Sequence, residues 1–266
     1  MGVRFIAILA TVFINAMKGT ALLIFSFLLS YAQAQVSVKD SIIGFPTIGV
    51  SYSYQIPGGD LAKRFGNNSS LGATALYKNK HNLIYGIEGT FIFGSILRES
   101  GILDSISTRR VQSIIVDQNG EAADVRLSER GFTVSAVVGK IIPLWSPNPN
   151  SGIMIQAKIG YLQHQIRIED YNGNTIQITG DYVKGYDRLT SGWAVSEFLG
   201  YQYLGNRRLL NFFAGVEFIQ GFTKSQRYDF DLRRSDQSQH KDYLFGLRAG
   251  WIFPLYKKTP KEFYYY

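Results

Sequence analysis

Eight stretches of the chain alternate apolar residues with small or polar ones, the period-two pattern of β-strands with one apolar face. The first stretch shows it clearly, because Val50, Tyr52 and Tyr54 share one face and Ser51 and Ser53 share the other. Beyond the N-terminal leader, no stretch reaches the 18 uninterrupted apolar residues of a spanning helix. The pattern predicts strands at about 46–57, 69–79, 83–94, 131–144, 152–166, 191–204, 210–223 and 242–256.

The links between these strands alternate short and long. In β-barrels of bacterial outer membranes the periplasmic turns are tight and the outer loops are long. The sequence therefore predicts an all-β protein of the cell outer membrane: an eight-stranded antiparallel up-and-down transmembrane β-barrel with long extracellular hairpin loops. The short links are 78–82, 145–151 and 205–208, and the long links are 58–68, 95–130, 167–190 and 224–241.

Two of the long links carry a hairpin signal. Asn119-Gly120 and Asn172-Gly173 each lie between β-forming segments, and the tight hairpin turn that such pairs favour has positive φ at both central residues. We expect both hairpins to extend the barrel wall outward. Together with Tyr186 and Arg188 they form the predicted partner-binding loops. Stiffening of the loops, and an interfacial aromatic position for the tyrosine, are the alternatives.

Residues 1–34 have the pattern of a signal peptide. Two apolar runs, 5–14 and 21–29, precede Ala32-Gln33-Ala34, whose small residues suit cleavage after Ala34. A translation start at Met17 would leave a compact signal peptide. The alternative is a membrane anchor made of both runs, since each is shorter than the about 20 residues that a spanning helix needs. We expect a cleaved signal peptide over 1–34 and one barrel domain over 35–266.

The composition indicates a folded membrane protein. Aromatic residues make up 14% of the chain and charged residues 18%, which argues against disorder. The net charge of +8 comes from Lys and Arg residues scattered over turns and loops, and not from one basic stripe. The expected partners are therefore outer-membrane lipid, lipopolysaccharide and other outer-membrane proteins, and not nucleic acid. Because the chain has no cysteine, neither a lipid-modified N-terminal Cys nor a disulfide is expected.

Four charged residues fall on the faces that carry the small and polar positions. An eight-stranded barrel has room only for side chains that fill its lumen, and buried charges are tolerated as a set of opposite signs. We therefore expect these four to meet and plug the barrel, with a gate or a narrow ion path as the alternative. The four residues are Glu88, Lys158, Glu217 and Arg248.

Glu197 departs from the pattern. It falls on the apolar face of the sixth strand, between Val195 and Leu199. The sequence leaves two interpretations: a β-bulge near Ser196 that turns Glu197 inward, or a different register for the whole strand.

The three histidines are candidates for catalysis or metal binding. His164 and His240 are expected near the outer rim, with Asp242 close by, whereas His81 lies in a periplasmic turn. Some eight-stranded outer-membrane barrels modify lipid A with His, Ser and an acid at that rim, but this chain has no His-x-Ser pair. The sequence therefore predicts no enzyme, no metal site and no cofactor. A lipid A-modifying activity remains as the least favoured alternative.

Three segments carry a family resemblance: Gly58–Gly66, Lys184–Leu189 and the aromatic last strand Gly246–Tyr256. With them the chain resembles the small outer-membrane β-barrel proteins of the Bacteroidota, described broadly as porin-family-like. The resemblance implies a non-enzymatic integral barrel, because some of these proteins are accessory barrels of secretion or assembly machines. We expect a structural or accessory subunit of an envelope complex, with a narrow channel for small solutes as the alternative.

Overall fold

The computed structural model describes residues 41–108, 114–205, 210–231, 233–236 and 238–256. The barrel lies within the compact unit Val38–Leu255. The predicted signal peptide and the alternative start at Met17 lie outside the described residues.

Eight long antiparallel strands form one closed barrel, which confirms the predicted fold class. Each strand pairs with its neighbours along the chain, and the last long strand pairs with the first to close the ring. The barrel strands are β1 (Phe45–Gly59), β2 (Asn68–Lys78), β3 (Leu83–Gly94), β4 (Val125–Ile142), β5 (Gly152–Asp170), β6 (Thr190–Leu204), β7 (Asn211–Ser225) and β10 (Gln239–Pro254).

The remaining elements are short. The two-residue strands β8 (Tyr228–Asp229) and β9 (Arg234–Ser235) pair in the last long link, and helix α1 (Leu61–Arg64) follows β1. Three 3-10 helices lie at Asp104–Ile106, Ile176–Ile178 and Gly180–Gly185. None of the helices in the described ranges is long and apolar enough to cross a bilayer.

The links define two ends of the barrel. The strands joined by links 79–82, 143–151 and 205–210 end on one side of the barrel, here called the turn end. The strands joined by links 60–67, 95–124, 171–189 and 226–238 end on the other side, here called the loop end. Consecutive antiparallel strands reverse direction at opposite ends, so the links alternate between the two ends. The predicted alternation of short and long links is not complete, because link 143–151 has nine residues and link 60–67 has eight.

The barrel is apolar outside and polar or tightly filled inside. Outward side chains such as Ile87, Leu247 and Trp193 are 62%, 68% and 70% exposed, whereas Ser53 and Arg248 on inward faces are each 2% exposed. A soluble barrel would reverse this arrangement, since exposed apolar area of this extent is unfavourable in water. A closed sheet leaves no unpaired strand edge in lipid and is the way in which β-structure spans a membrane. The architecture therefore confirms the predicted outer-membrane barrel.

Two strands are longer than predicted and rise above the rest of the wall. β4 begins at Val125 and β5 ends at Asp170, and these two residues pair with each other. The pairing of β3 with β4 ends earlier, at Gly94 and Glu129. After Gly94 the chain bends across the barrel mouth, where Leu97 forms a bridge to Phe65.

The sixth strand has neither of the two features that were expected to explain Glu197. The ladders of β6 with β5 and β7 run without interruption through Ser196 and Glu197, so there is no bulge. The alternation is also regular, because Ser196 and Phe198 are buried while Glu197 is exposed. The predicted register was right, and the carboxylate lies on the lipid-facing surface.

The two predicted hairpins differ in outcome. At Asn119-Gly120 the hairpin forms, with Val116 bridged to Ala122. Only Gly120 has positive φ, at 81°. The Asp117 carboxylate accepts hydrogen bonds from the Asn119 and Glu121 N–H groups and holds a different turn.

The prediction of a hairpin at Asn172-Gly173 was wrong. The Asp170 carboxylate accepts hydrogen bonds from the N–H groups of Asn172 and Thr175. The chain then continues as 3-10 helices over 176–178 and 180–185 and does not return as a strand.

Candidate functional site

The four predicted lumen charges meet in one network near the middle of the barrel. Arg248 donates from Nη2 to Glu88 Oε2 at 2.7 Å and from Nη1 to Glu88 Oε1 at 2.8 Å and to Glu217 Oε1 at 2.7 Å. Lys158 Nζ lies 2.8 Å from Glu88 Oε1 and also bonds to Glu217. All four side chains are at most 5% exposed. Two acids and two cations thus form a neutral, hydrogen-bonded plug, the arrangement in which buried charges are tolerated.

The surroundings of Arg248 hold it in place. Its Nη2 also donates to Ser51 Oγ at 3.1 Å, and its guanidinium lies 5.9 Å and 5.5 Å from the ring centroids of Phe198 and Phe213. These two rings pack edge to face at 5.7 Å. Between the charge network and the turn end there is a cavity of about 20 Å³, lined in part by Lys78 and Gln202. It has room for about one water molecule.

A polar lid closes the turn end. The link 143–151 lies across the opening, and its Asn150 and Ser151 are fully buried. Lys78 Nζ donates to Asn150 Oδ1 at 2.8 Å, and Asn148 Nδ2 donates to the Leu204 carbonyl at 2.7 Å. The lid therefore joins β2, β6 and the link between β4 and β5 below the charge network.

An apolar cap closes the loop end. Leu61 and Phe65, at either end of α1, are 1% and 0% exposed and pack on inward side chains of the barrel wall. Gly59 begins the turn into α1 with φ of 63°, and a Cβ there would lie 2.2 Å from the Lys241 carbonyl oxygen. The inward apolar partners of the cap are Ile92, Leu162, Ile166, Ala194, Ile219 and Leu244.

Asp60 fastens this cap to the last strand. Its carboxylate accepts hydrogen bonds from Lys63 Nζ at 2.8 Å and from the Lys241 N–H at 2.9 Å. These two hydrogen bonds hold the pKa of Asp60 below its usual value. The carboxylate is therefore charged, and the cap fastened, at neutral pH.

The histidine nearest to catalytic geometry is buried beneath this cap. His164 Nε2 lies 2.9 Å from Asp242 Oδ2, and the Thr223 hydroxyl donates to the same oxygen. The hydroxyl thus bonds to the acid and not to the imidazole, and His164 Nδ1 has no hydrogen-bond partner among the described residues. A nucleophilic triad needs the hydroxyl on the imidazole.

The other two histidines lie elsewhere. His240 contacts Asp236 at 3.1 Å near the loop-end surface, and His81 lies in the turn 79–82 at the opposite end. No cluster of three or more metal-ligating side chains occurs in the part of the chain that the structure describes.

A network of ion pairs ties the loops together above the cap. Glu99 bridges Arg64 Nε at 2.9 Å and Arg188 Nε at 3.2 Å. Arg188 also pairs with Asp229 and, at 3.1 Å, with Asp231. We call Arg64, Glu99, Arg188, Asp229 and Asp231 the loop ion network. It joins the links after β1, β3, β5 and β7, so the loop end is a preformed surface.

Two of the predicted partner-binding residues are buried within the loops. Tyr186 is 5% exposed and packs with Leu103, Ile115 and Ile178 in a small loop core. Arg188 is 9% exposed and is held in the loop ion network. The expectation that these two side chains face a partner is therefore corrected: they hold the loops in place. The four Asn and Gly residues at the predicted hairpin tips, Asn119, Gly120, Asn172 and Gly173, are exposed.

A cleft opens on the outer wall below the tall β4–β5 pair. Its volume is about 700 Å³, and its lining includes Tyr54, Phe93, Arg126, Ser128 and Arg130. It exists because β3 ends before β4 does. Two cations and a hydroxyl therefore alternate along one outward face of β4, directly beyond the apolar belt.

Sequence comparisons assign no family: no family model and no curated protein sequence matches the chain.

Solved structures with similar architecture are outer-membrane proteins. Neisserial surface protein A is 10% identical, with a TM-score of 0.41 over 78% of this chain and 96% of that protein. Ail, the attachment invasion locus protein of Yersinia pestis, is 13% identical, with a TM-score of 0.39 over 79% and 99%. Outer membrane protein W of E. coli is 17% identical, with a TM-score of 0.38 over 79% and 97%. At these values the likeness concerns general architecture and carries no information about ligands.

Sequence reasoning missed the acidic half of the loop ion network. Glu99, Asp229 and Asp231 lie in links with no periodic pattern, and only the alternating Asp-Phe-Asp of 229–231 hinted at two carboxylates on one side. The polar lid was also missed, because Asn148 and Asn150 lie in a Pro-rich turn and have the usual composition of a solvent-exposed one.

Proposed function

We propose that the chain is a closed, non-conducting outer-membrane barrel that acts as a structural or accessory subunit of an envelope complex through its loop end. The observation that carries the proposal is the neutral network of Glu88, Lys158, Glu217 and Arg248, which fills the lumen at mid-height. The polar lid and the apolar cap block the same path below and above it. A solute would have to displace all three layers.

Planar-bilayer recording tests the closed lumen. The purified barrel is expected to insert without producing steady conductance, and the absence of current must be paired with proof of insertion, such as protease protection of the strands. A steady current from the wild-type barrel would overturn the plug and favour the narrow channel.

The preformed loop end supports the accessory role. A surface held by ion pairs and a small apolar core loses little conformational entropy when a partner binds. Affinity purification from a mild detergent is the test, using the tagged wild-type barrel and a variant whose hairpin 118–121 is replaced by Gly and Ser. A partner that is retained by the wild type and lost with the variant is the expected result. If the wild-type barrel is purified without any partner, the accessory role is contradicted and only the structural role remains.

The cleft on the outer wall supports lipid as a second kind of partner. Arg126 lies 4.7 Å from the Tyr171 ring, and Ser128 Oγ between the arginines is buried with no partner among the described residues. Guanidinium and hydroxyl groups suit phosphate oxygens. The Arg126→Gln/Arg130→Gln variant is expected to retain about tenfold less diphosphoryl lipid A in native mass spectrometry. Lys224→Gln/Lys241→Gln, at exposed positions on the other side of the barrel, is the matched control, and equal retention by both variants would exclude the cleft.

No enzymatic activity is included in the proposal. Among the described residues two buried hydroxyls lie beside the His164–Asp242 pair, and neither donates to the imidazole: Thr223 donates to the acid, and Thr190 donates to the Arg188 carbonyl. Replacing His164 and His240 by Phe is expected to leave the mass spectrum of lipid A in the outer membrane unchanged. A changed acyl pattern would restore the lipid A-modifying alternative.

A further inference from the structure

The outward face of β6 and β7 carries two polar side chains inside the apolar belt. Glu197 is exposed to the exterior, and Gln220 on β7 reaches it, with Nε2 lying 3.4 Å from both carboxylate oxygens. Along β6, Glu197 stands two outward positions from Trp193 on one side and two from Tyr201 on the other. It is therefore about 13 Å along the strand from each of these aromatic residues. The pair lies within the membrane and not at its edge.

In lipid, most of the hydrogen-bonding positions of Glu197 and Gln220 have no partner among the described residues. A carboxylate has about four acceptor positions and an amide has two donors, yet the only side-chain hydrogen bonds of Glu197 among the described residues are the two long ones from Gln220. Ionisable groups that face lipid are costly and rare, and where they occur they usually face a protein partner or a pore. Glu197 faces away from the lumen, so a pore is excluded and a protein surface remains.

We propose that this face of β6 and β7 binds a second copy of this chain in the plane of the membrane. The pair is self-complementary, because a two-fold axis along the membrane normal places the amide of each copy against the carboxylate of the other. The axis requires both groups to lie at the same depth, and their direct contact shows that they do. The inference rests on the membrane placement of the barrel but not on its closed lumen.

The surroundings of the pair suit close approach of two barrels. The outward neighbours across the strands are Ala157 and Phe218, which pair with Glu197, and Val195 and Tyr243, which pair with Gln220. The two aromatic rings lie together on the β7–β10 side, 5.8 Å apart. On the β5–β6 side the small Ala157 and the β-branched Val195 let a second wall pack closely enough for hydrogen bonds. A partner protein of different sequence would need its own donors and acceptors at this depth, whereas a second copy supplies them by symmetry.

Disulfide cross-linking in outer-membrane fractions tests the proposal. Because the chain has no native cysteine, any disulfide between two copies of a single-cysteine variant must form at the introduced residue. Val195→Cys lies beside the proposed axis, and Ile87→Cys is the matched control: it is equally outward but on β3, on the opposite side of the barrel. A copper–phenanthroline oxidant is expected to give a covalent dimer with Val195→Cys and none with Ile87→Cys. Monomer from both, or equal dimer from both, would overturn the proposal.

A second substitution tests whether the polar pair is responsible. Adding Glu197→Leu to Val195→Cys is expected to lower the dimer yield about tenfold, the loss of two hydrogen-bonded pairs in lipid. The leucine variant should still fold, and its monomer should unfold at a higher temperature, because a carboxyl group no longer faces lipid. An unchanged dimer yield would overturn the role of the pair.

The outcomes are separable from those for the proposed function. A cross-link from Val195→Cys to a different protein, with no dimer, would overturn the second copy as the occupant of this face. A dimer that conducts would support this inference and contradict the plug. A barrel that fails to insert would contradict both.

Discussion

At the scale of single residues, Arg248 is the member of the lumen network with the most partners. It touches both lumen carboxylates and a serine hydroxyl. Burial of this kind makes the network sensitive to loss of one member, because the groups left behind stay buried without their partner.

We predict that Arg248→Met destabilises the folded barrel by about 3–5 kcal/mol, because it leaves two buried carboxylates against one cation. The measurement is equilibrium unfolding in urea in a detergent or lipid system. Lys241→Met, an exposed cation on the same strand, serves as control and should change the free energy of unfolding by less than about 0.5 kcal/mol. Similar values for the two variants would show that the network does not contribute as its geometry indicates.

Among the elements, the segment 60–67 decides how the loop end closes. It contains the four-residue helix α1, which has little stability on its own. It is held by two buried apolar side chains and by Asp60, outside the continuous ladder of the barrel.

We predict that Phe65→Ala loosens this cap by about 3 kcal/mol or more, since it removes a fully buried ring. The effect should be local, because Phe65 lies outside the barrel strands. Trypsin cleavage after Lys63 and Arg64 should become faster while the strands stay protected. Ile56→Ala, on the lipid-facing side of β1, should leave cleavage unchanged, and equal cleavage of the two variants would contradict a packed cap.

At the scale of the whole molecule, closure is layered. The lid, the charge network and the cap block the lumen in series, so opening one layer leaves the others in place. The strands that carry them are paired around the whole ring and keep their positions when one inward side chain is lost.

We predict that Arg248→Ala and Phe65→Ala each leave the barrel non-conducting, and that the double variant is also non-conducting. The triple variant, in which Asn150→Ala also weakens the polar lid, is expected to give measurable single-channel current. Planar-bilayer recording of the single, double and triple variants is the check. Steady conductance from either single variant would show that one layer alone closes the barrel.

The sequence by itself determined the strands, the closed antiparallel order and the inward position of the four lumen charges. Period-two alternation fixes which face each side chain takes, and an eight-stranded lumen is too narrow for Glu88 and Arg248 to stay apart. It also marked Glu197 as lipid-facing, although the pattern alone made that look like an error.

Only the tertiary structure decided what lies beyond the strands. The burial of Phe65, the partners of Arg188 and the cleft at Arg126 depend on where links of irregular sequence fold back. The hairpin at Asn172-Gly173 failed for the same reason, because the nearby Asp170 carboxylate offered the backbone another set of hydrogen bonds. Strand pairing follows a repeating rule that the sequence displays, whereas loop packing depends on contacts between segments far apart in the chain.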